Sequence, residues 1–426
     1  MSVAPTVHKN DICNMQIIGM VRYCHFHFTD NQNGQIIGMV RYCHFHFTDN
    51  QNGQAEEGEN NGDVSWNVKV LDASKDGEIL KFTVQTKTME NDEEEKGVIV
   101  LREYDDFEWL YHCLVTHNNI DAVVVPPLPA RPLVTATAAE SKSKKQLGKN
   151  AKNMIGDEFF KDCRNLEKFI QLVLAHPALK NDGDLEKFLT EEQAQTRTKI
   201  KKGLFGSLSK TVGEVRYQSH KDINDEFQKL RDFVEKFSLA NKECCMNFTK
   251  MVNAQQRVGL SLGELSASVS TAAVLDEVSS QNLKRTFTLF SEALTSSKES
   301  YEVMSANDEN TLGFTIDLYS KYMDSAKDML FRRTCKLVEF ENASKALEKA
   351  KPQKKDQCEQ AKKEAEDAYT EITDLASTEM SRFNRQRVLS LQSAMVQYAE
   401  SRIKNGRDTY AVLLKLLNYV KKADHS

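Results

Sequence analysis

From Leu179 to Ser426 the chain carries a single proline, Pro352. Over most of that span apolar residues recur at alternating four- and three-residue steps. One run passes through Phe227, Leu230, Val234, Phe237, Cys244, Phe248, Met251, Val258, Leu262, Leu265 and Val269, with polar residues at the expected positions Asn241 and Gln255. A second goes from Leu312 through Tyr319, Met323, Leu330 and Leu337 to Leu347, and a looser third from Ala361 through Leu391, Met395, Tyr410 and Leu417 to Val420. A 3.5-residue repeat keeps one stripe of an α-helix against a partner for many turns, so the region is predicted to form three coiled-coil helices. Proline removes a helical hydrogen bond, so Pro352 marks the turn between the second and third. Helices of roughly 50 to 70 residues reach about 75 to 105 Å, a shape for a scaffold rather than for a small-molecule pocket.

The net charge of −5 is unevenly divided: −8 over residues 1–190 and +3 over 191–426. The helical half is therefore the better partner for an anionic surface, through local clusters. The chain contains no 18 consecutive apolar residues, so no bilayer-spanning segment is expected. Its N-terminus lacks the basic and apolar regions of a secretory signal. Nine cysteines without paired spacing fit a reducing compartment.

Residues 1–63 read as a disordered N-terminal segment in which the string QIIGMVRYCHFHFTDNQNG stands twice, at 16–34 and 35–53. Perfect identity is foreign to packed repeats, whose end units differ, and points to a recent duplication or a gene-model error. Its Cys-His-Phe-His run gives at most half a metal site, because only His25 and His27 share a strand face. Residues 64–190 change character. Val64–Leu71, Ile79–Thr88 and Gly97–Leu101 read as strands. Asp105 and Asp106 open a helix with Phe107, Leu110, Tyr111 and Leu114 on one side. Pro126, Pro127, Pro129 and Pro132 make a stiff corner, and helices are expected over Phe159–Ala175 and Leu185–Thr190. The whole is a small α+β module with a three-stranded sheet, followed by a linker over 191–216 and an all-α domain over 217–426.

In that order, the strands, the Arg102-Glu103-Tyr104-Asp105-Asp106-Phe107 segment, the Pro126-Pro127-Leu128-Pro129 loop and Leu166-Glu167-Lys168-Phe169-Ile170 resemble a phox-homology (PX) domain. With the three-helix coiled coil behind it, the chain resembles a sorting nexin of the PX–BAR type. The stretch from Ala326 through Arg332-Arg333-Thr334 to Leu347 is similar to the retromer-associated five/six branch. This resemblance implies a PX domain that meets lipid or cargo and a BAR domain that dimerises on membranes. Lipid-reading members carry an arginine before the tyrosine to grip the 3-phosphate of phosphatidylinositol 3-phosphate; here that position is Glu103. Asp162 stands where a second arginine is expected. Carboxylates at a phosphate site turn attraction into repulsion, so the usual pocket is expected to be disabled. Arg102, Tyr104 and Arg164 remain as candidate contacts of a divergent pocket, with both arginines expected to point elsewhere. Branch members capture the cytosolic tails of membrane cargo through a helical insertion after the proline loop. The corresponding stretch here, residues 133–158, is short.

Ile200, Leu204, Phe205 and Leu208 line one side of a helical wheel, with Lys201 and Lys202 beside them. Such a segment can fold into the headgroup layer of an anionic membrane, at about 1 kcal/mol per basic residue, or pack back on either module; the family architecture favours the membrane. Lys351, Lys354 and Lys355 at the turn between helices are ordinary solvated surface by themselves, and become membrane contacts in a curved BAR dimer. Leu283, Phe287, Phe290 and Leu294, with Leu413, Leu414 and Leu417, form surplus apolar stripes that call for a second subunit. The resemblance implies that this subunit is a sorting nexin of the one/two branch. No catalytic fingerprint is present, and no cofactor, metal or nucleic-acid partner is expected. The sequence thus reads as a scaffold, peripheral on early endosomes and their tubules, in retrograde or recycling transport. A cargo-peptide adaptor recruited only through its partner is the rival reading, and a cytoskeletal coiled coil a second.

Overall fold

The computed structural model describes residues 66–77, 79–88, 97–135, 159–194, 219–275 and 281–423, with isolated positions at 137, 140–141 and 144. The duplicated string, the insertion beyond residue 144 and the amphipathic stretch of Ile200 to Leu208 lie outside the described residues. Val64–Ser426 forms one compact unit.

Three antiparallel strands open it: β1 (Trp66–Asp76), β2 (Ile79–Thr88) and β3 (Val98–Glu103), in the order β1-β2-β3. β1 runs five residues beyond its expected end, because a bulge between Val70 and Ala73 lets pairing continue to Asp76↔Ile79. Gly77, at φ 62°, turns the chain there; that left-handed conformation costs glycine nothing. Alternation places Val68, Val70, Leu80, Phe82, Val84 and Val100 on the inner face. Against it pack α1 (Tyr104–His117), α2 (Phe159–Leu174) and α3 (Gly183–Thr190), burying Phe107, Leu110, Leu166, Ile170 and Phe188. Asp106 begins α1 by accepting the backbone N–H of Glu103 at 2.7 Å. Asp182 caps α3 through the N–H groups of Asp184 and Leu185.

The helical domain has three rods. The first is α4 (Asp225–Leu275). The second consists of α5 (Gln281–Asp308) and α6 (Phe314–Glu348), joined without a break by a π-helical turn at Glu309–Gly313. After a short 3₁₀ turn at Pro352–Lys354 comes the third, α7 (Lys355–Ala423). Pro352 thus sits at the predicted corner. The π turn was not predicted, and it leaves one extra residue in the helix. Gly313 permits it: a Cβ there would meet the Phe248 ring at 3.0 Å and the Asp308 carbonyl at 3.1 Å.

The stripe that α4 buries differs from the expected one. Phe227, Val234 and Asn241 are inside as expected, but Cys244, Val258 and Leu265 are exposed, while Ser238, Val252, Gly259, Ser266 and Ala273 are buried. Small residues let the rods approach closely and exchange hydrogen bonds. The Ser266 hydroxyl donates to the Ser291 carbonyl at 2.8 Å, and the Ser291 hydroxyl donates to the Ser266 carbonyl at 3.0 Å. Asn241 donates to the Ile316 carbonyl at 3.3 Å. α4 contains an 18-residue window apolar enough to span a bilayer by length and composition, because small apolar and hydroxyl residues there dilute the charge without forming an unbroken run.

Arg333, on a core position of the second rod, is fully buried. Its guanidinium lies 3.6 Å from the Phe227 ring centroid and pairs with the buried Asp222 carboxylate at 2.5 Å. It also donates to Tyr369 Oη at 2.9 Å and Thr373 Oγ1 at 3.1 Å. Residues from the start of the first rod (Asp222, Phe227) and from the third (Tyr369, Thr373) are thereby tied to a single planar cation on the second.

Candidate docking and membrane surfaces

The conformation of β3 and α1 decides what stands around Tyr104. Arg102 follows the inward alternation of β3 and is 1% exposed. Its guanidinium donates to the carbonyls of Phe188 (2.9 Å), Leu101 (3.0 Å) and Glu191, closing the C-terminal end of α3, and burial lowers its pKa. Its N–H groups are thus spent on main-chain carbonyls. Tyr104 is buried and donates to the Pro129 carbonyl at 2.5 Å. Burial, then the neighbouring Glu108 carboxylate, raises its pKa to about 12. Arg131 covers the Tyr104 ring at 4.6 Å and pairs with Asp105 and with Glu108, the latter at 2.6 Å. The cation on this surface thus already has two carboxylate partners. Glu103 and Asp162 are half-buried, and each has partners within the protein. Sequence reading missed Arg131, whose only signal is its place beside Pro132 at the end of the proline corner.

Arg164 engages the helical domain. It stacks on Phe314 of α6 at 4.2 Å, and burial lowers its pKa. The surface it joins is the seam between the two domains. Val124 and Leu172 of the α+β domain insert into a cluster with Phe227, Val234, Tyr319, Met323, Met329 and Phe383. Arg332 donates to the carbonyls of Asp121 (3.2 Å) and Val123 (2.8 Å). Glu379 is the polar centre. It accepts the Val124 N–H at 3.0 Å, His176 Nε2 lies at 3.1 Å, and Arg382 donates at 2.7 and 2.9 Å. His176 accepts the Ala178 N–H on Nδ1 at 3.2 Å, leaving Nε2 to carry the proton toward Glu379. Burial alone would raise the Glu379 pKa, but the hydrogen bonds from His176 and Arg382 outweigh it and hold the carboxyl down at about 2. Beside the seam, Arg164, Lys168, Thr311, Phe314 and Ser393 line a groove of about 500 Å³. Arg387 is likewise turned inward, stacked on Phe237 at 4.4 Å, so Arg332, Arg333, Arg382 and Arg387 all serve packing.

Lys351, Lys354 and Lys355 are exposed around the 3₁₀ turn between the second and third rods. Elsewhere in the helical domain, around the junction of α4 with α5 and near the end of α7, apolar side chains face solvent. Val274 is 77% exposed, Leu275 73% and Tyr410 66%, accompanied by Leu283, Phe290, Ile403, Leu413, Leu414 and Leu417. Arg285 stacked on Tyr419 at 5.5 Å brings the start of α5 to the end of α7. Among the described residues nothing covers this apolar area.

Comparison with known proteins agrees with this architecture. A PX domain model matches residues 90–192, and a model described as Vps5 C terminal like matches residues 201–414. Human sorting nexin-6 is 26% identical over 83% of this chain and 91% of its own length. Mouse sorting nexin-32 is 25% identical over 84% and 94%. Among solved structures, the SNX-BAR Mvp1 tetramer superposes with a TM-score of 0.52 at 15% identity, covering 82% of this chain and 99% of that one. With a PX fold joined to three rods, and half the chain accounted for by the Vps5 C-terminal-like model, the protein belongs to the PX–BAR sorting nexins.

Proposed function

We propose that this sorting nexin is a dimeric scaffold, peripheral on endosomal membranes, which helps to form tubules and to return cargo to the Golgi or the plasma membrane. The observation that carries this reading is the solvent-facing apolar surface formed by the ends of α4, α5 and α7. It is the kind of surface a second helical domain covers, and that partner is proposed to be a sorting nexin of the one/two branch. Tyr410→Glu with Leu414→Glu changes only exposed positions, so the chain is expected to stay folded but to lose association with such a partner. Sedimentation velocity checks this. A wild-type chain that stays monomeric with a one/two-branch nexin present overturns the reading.

The PX domain is proposed not to read phosphatidylinositol 3-phosphate through the usual pocket. In support, Glu103 stands at the phosphate-gripping position, Arg102 is enclosed, and Arg131 is already engaged by Asp105 and Glu108. Membrane attraction then falls to Lys201 and Lys202 beside Ile200, Leu204, Phe205 and Leu208, and to Lys351, Lys354 and Lys355. Liposome sedimentation is expected to fall with added salt, to be indifferent to phosphatidylinositol 3-phosphate, and to be lost on charge reversal at Lys201 and Lys202. Salt-independent binding that requires this lipid contradicts the proposal.

A further inference from the structure

Away from the seam, α1 and α3 meet at a cluster that none of these roles uses. Cys113 and His117 are four residues apart on α1 and so share a face. That face meets the first turn of α3, where the Asp182 cap fixes the backbone of Asp184. His117 Nδ1 lies 2.7 Å from Asp184 Oδ2, and the ligand atoms of Cys113, His117 and Asp184 all lie within 4.8 Å of one another. We propose that these three residues bind a divalent cation of the zinc class.

Donor chemistry selects the ion. Thiolate, imidazole and carboxylate together suit a borderline-soft metal, whereas calcium and magnesium take oxygen ligands. One thiolate and one carboxylate balance a dication. Access fits as well: Cys113 closes the inner side at 3% exposure, and the His117 side chain, 60% exposed, leaves the outer side open to solvent and a water ligand. Lys187 holds the other Asp184 oxygen, Oδ1, at 3.1 Å, which keeps Oδ2 turned toward the histidine. Three protein ligands with one open position is an arrangement that zinc adopts.

The location gives the ion a consequence. Asn118, directly after His117, donates to the Leu114 carbonyl at 3.1 Å and to Asp182 at 2.6 Å. From there the chain runs to Asp121, Val123 and Val124, which dock on Arg332 and Glu379. A metal bridge from α1 to α3 would brace the root of that docking segment.

Cobalt(II) titration of the full-length, metal-stripped protein tests the site. Thiolate-to-cobalt charge-transfer absorption is expected, with one equivalent of it per chain missing in Cys113→Ser and displaced by zinc. The Cys24 and Cys43 tracts provide an internal control, because absorption arising there survives Cys113→Ser. His117→Ala, at an exposed position, guards against misfolding and is expected to weaken cobalt binding at least about tenfold, since losing even an outer-shell partner costs roughly 10–100-fold. Spectra unchanged by Cys113→Ser, or wild-type affinity in His117→Ala, overturn the assignment.

Discussion

Arg333→Met is expected to destabilise the protein by about 3–5 kcal/mol, the usual cost of leaving one member of a buried ion pair behind. The carboxylate left behind is Asp222, whose side chain has no exposed surface. Methionine fills similar space between Phe227 and Tyr369, so the loss comes from the orphaned charge rather than from a cavity. The double variant Arg333→Met/Asp222→Leu is therefore expected to recover much of the stability, as replaced buried pairs often do. Arg333→Lys is not a rescue, because an ammonium cannot stack on Phe227 and also serve Asp222, Tyr369 and Thr373. Chemical denaturation of these variants together with Asp222→Leu alone completes a double-mutant cycle. A single-variant loss under 1 kcal/mol would show that water reaches the pair.

The second large effect is expected at Glu379. Truncation to alanine strands the Val124 N–H, His176 and Arg382 together, at about 3 kcal/mol for lost hydrogen bonds to a charged acceptor. Unlike the loss at Arg333, this one is local to the seam. Hydrogen exchange at Val123 and Val124 should accelerate, while the strands keep their protection. Acid should act in the same way. The Glu379 pKa is about 2 in the folded chain against an ordinary 4.5, so its contribution is fully present above pH 4.5. It is lost as pH falls from there through 2, to a total of about 3 kcal/mol. Glu379→Gln should remove this acid-sensitive component. Seam exchange unaffected by truncation would show that the apolar contacts of Val124 and Leu172 suffice.

Features set by local pattern were legible in the sequence. The three strands, the corner at Pro352 and the rod lengths follow from alternation, proline chemistry and the 3.5-residue repeat. Which stripe the rods bury was not legible. Val258 and Leu265 are more apolar than Gly259 and Ser266, yet close approach and hydroxyl exchange between α4 and α5 favour the smaller residues. That Arg102 and Arg164 point away from the motif was legible, but not where they go: strand alternation turns one inward and the helical domain covers the other. The seam was invisible for a related reason. Glu379, His176 and Arg332 look like ordinary polar residues on their own segments, and only the pairing of segments some 200 residues apart gives them a role.

The π turn at Glu309–Gly313 works as a phase shifter. One surplus residue rotates everything beyond it by about 100° around the axis. The same continuous rod can therefore aim Tyr319, Met323 and Arg332 at the seam while Asp308, just before the turn, meets Arg402 of α7. Two faces that a regular helix would hold at one angle are set at another, and their relative bearing is written into a single amino acid of chain length.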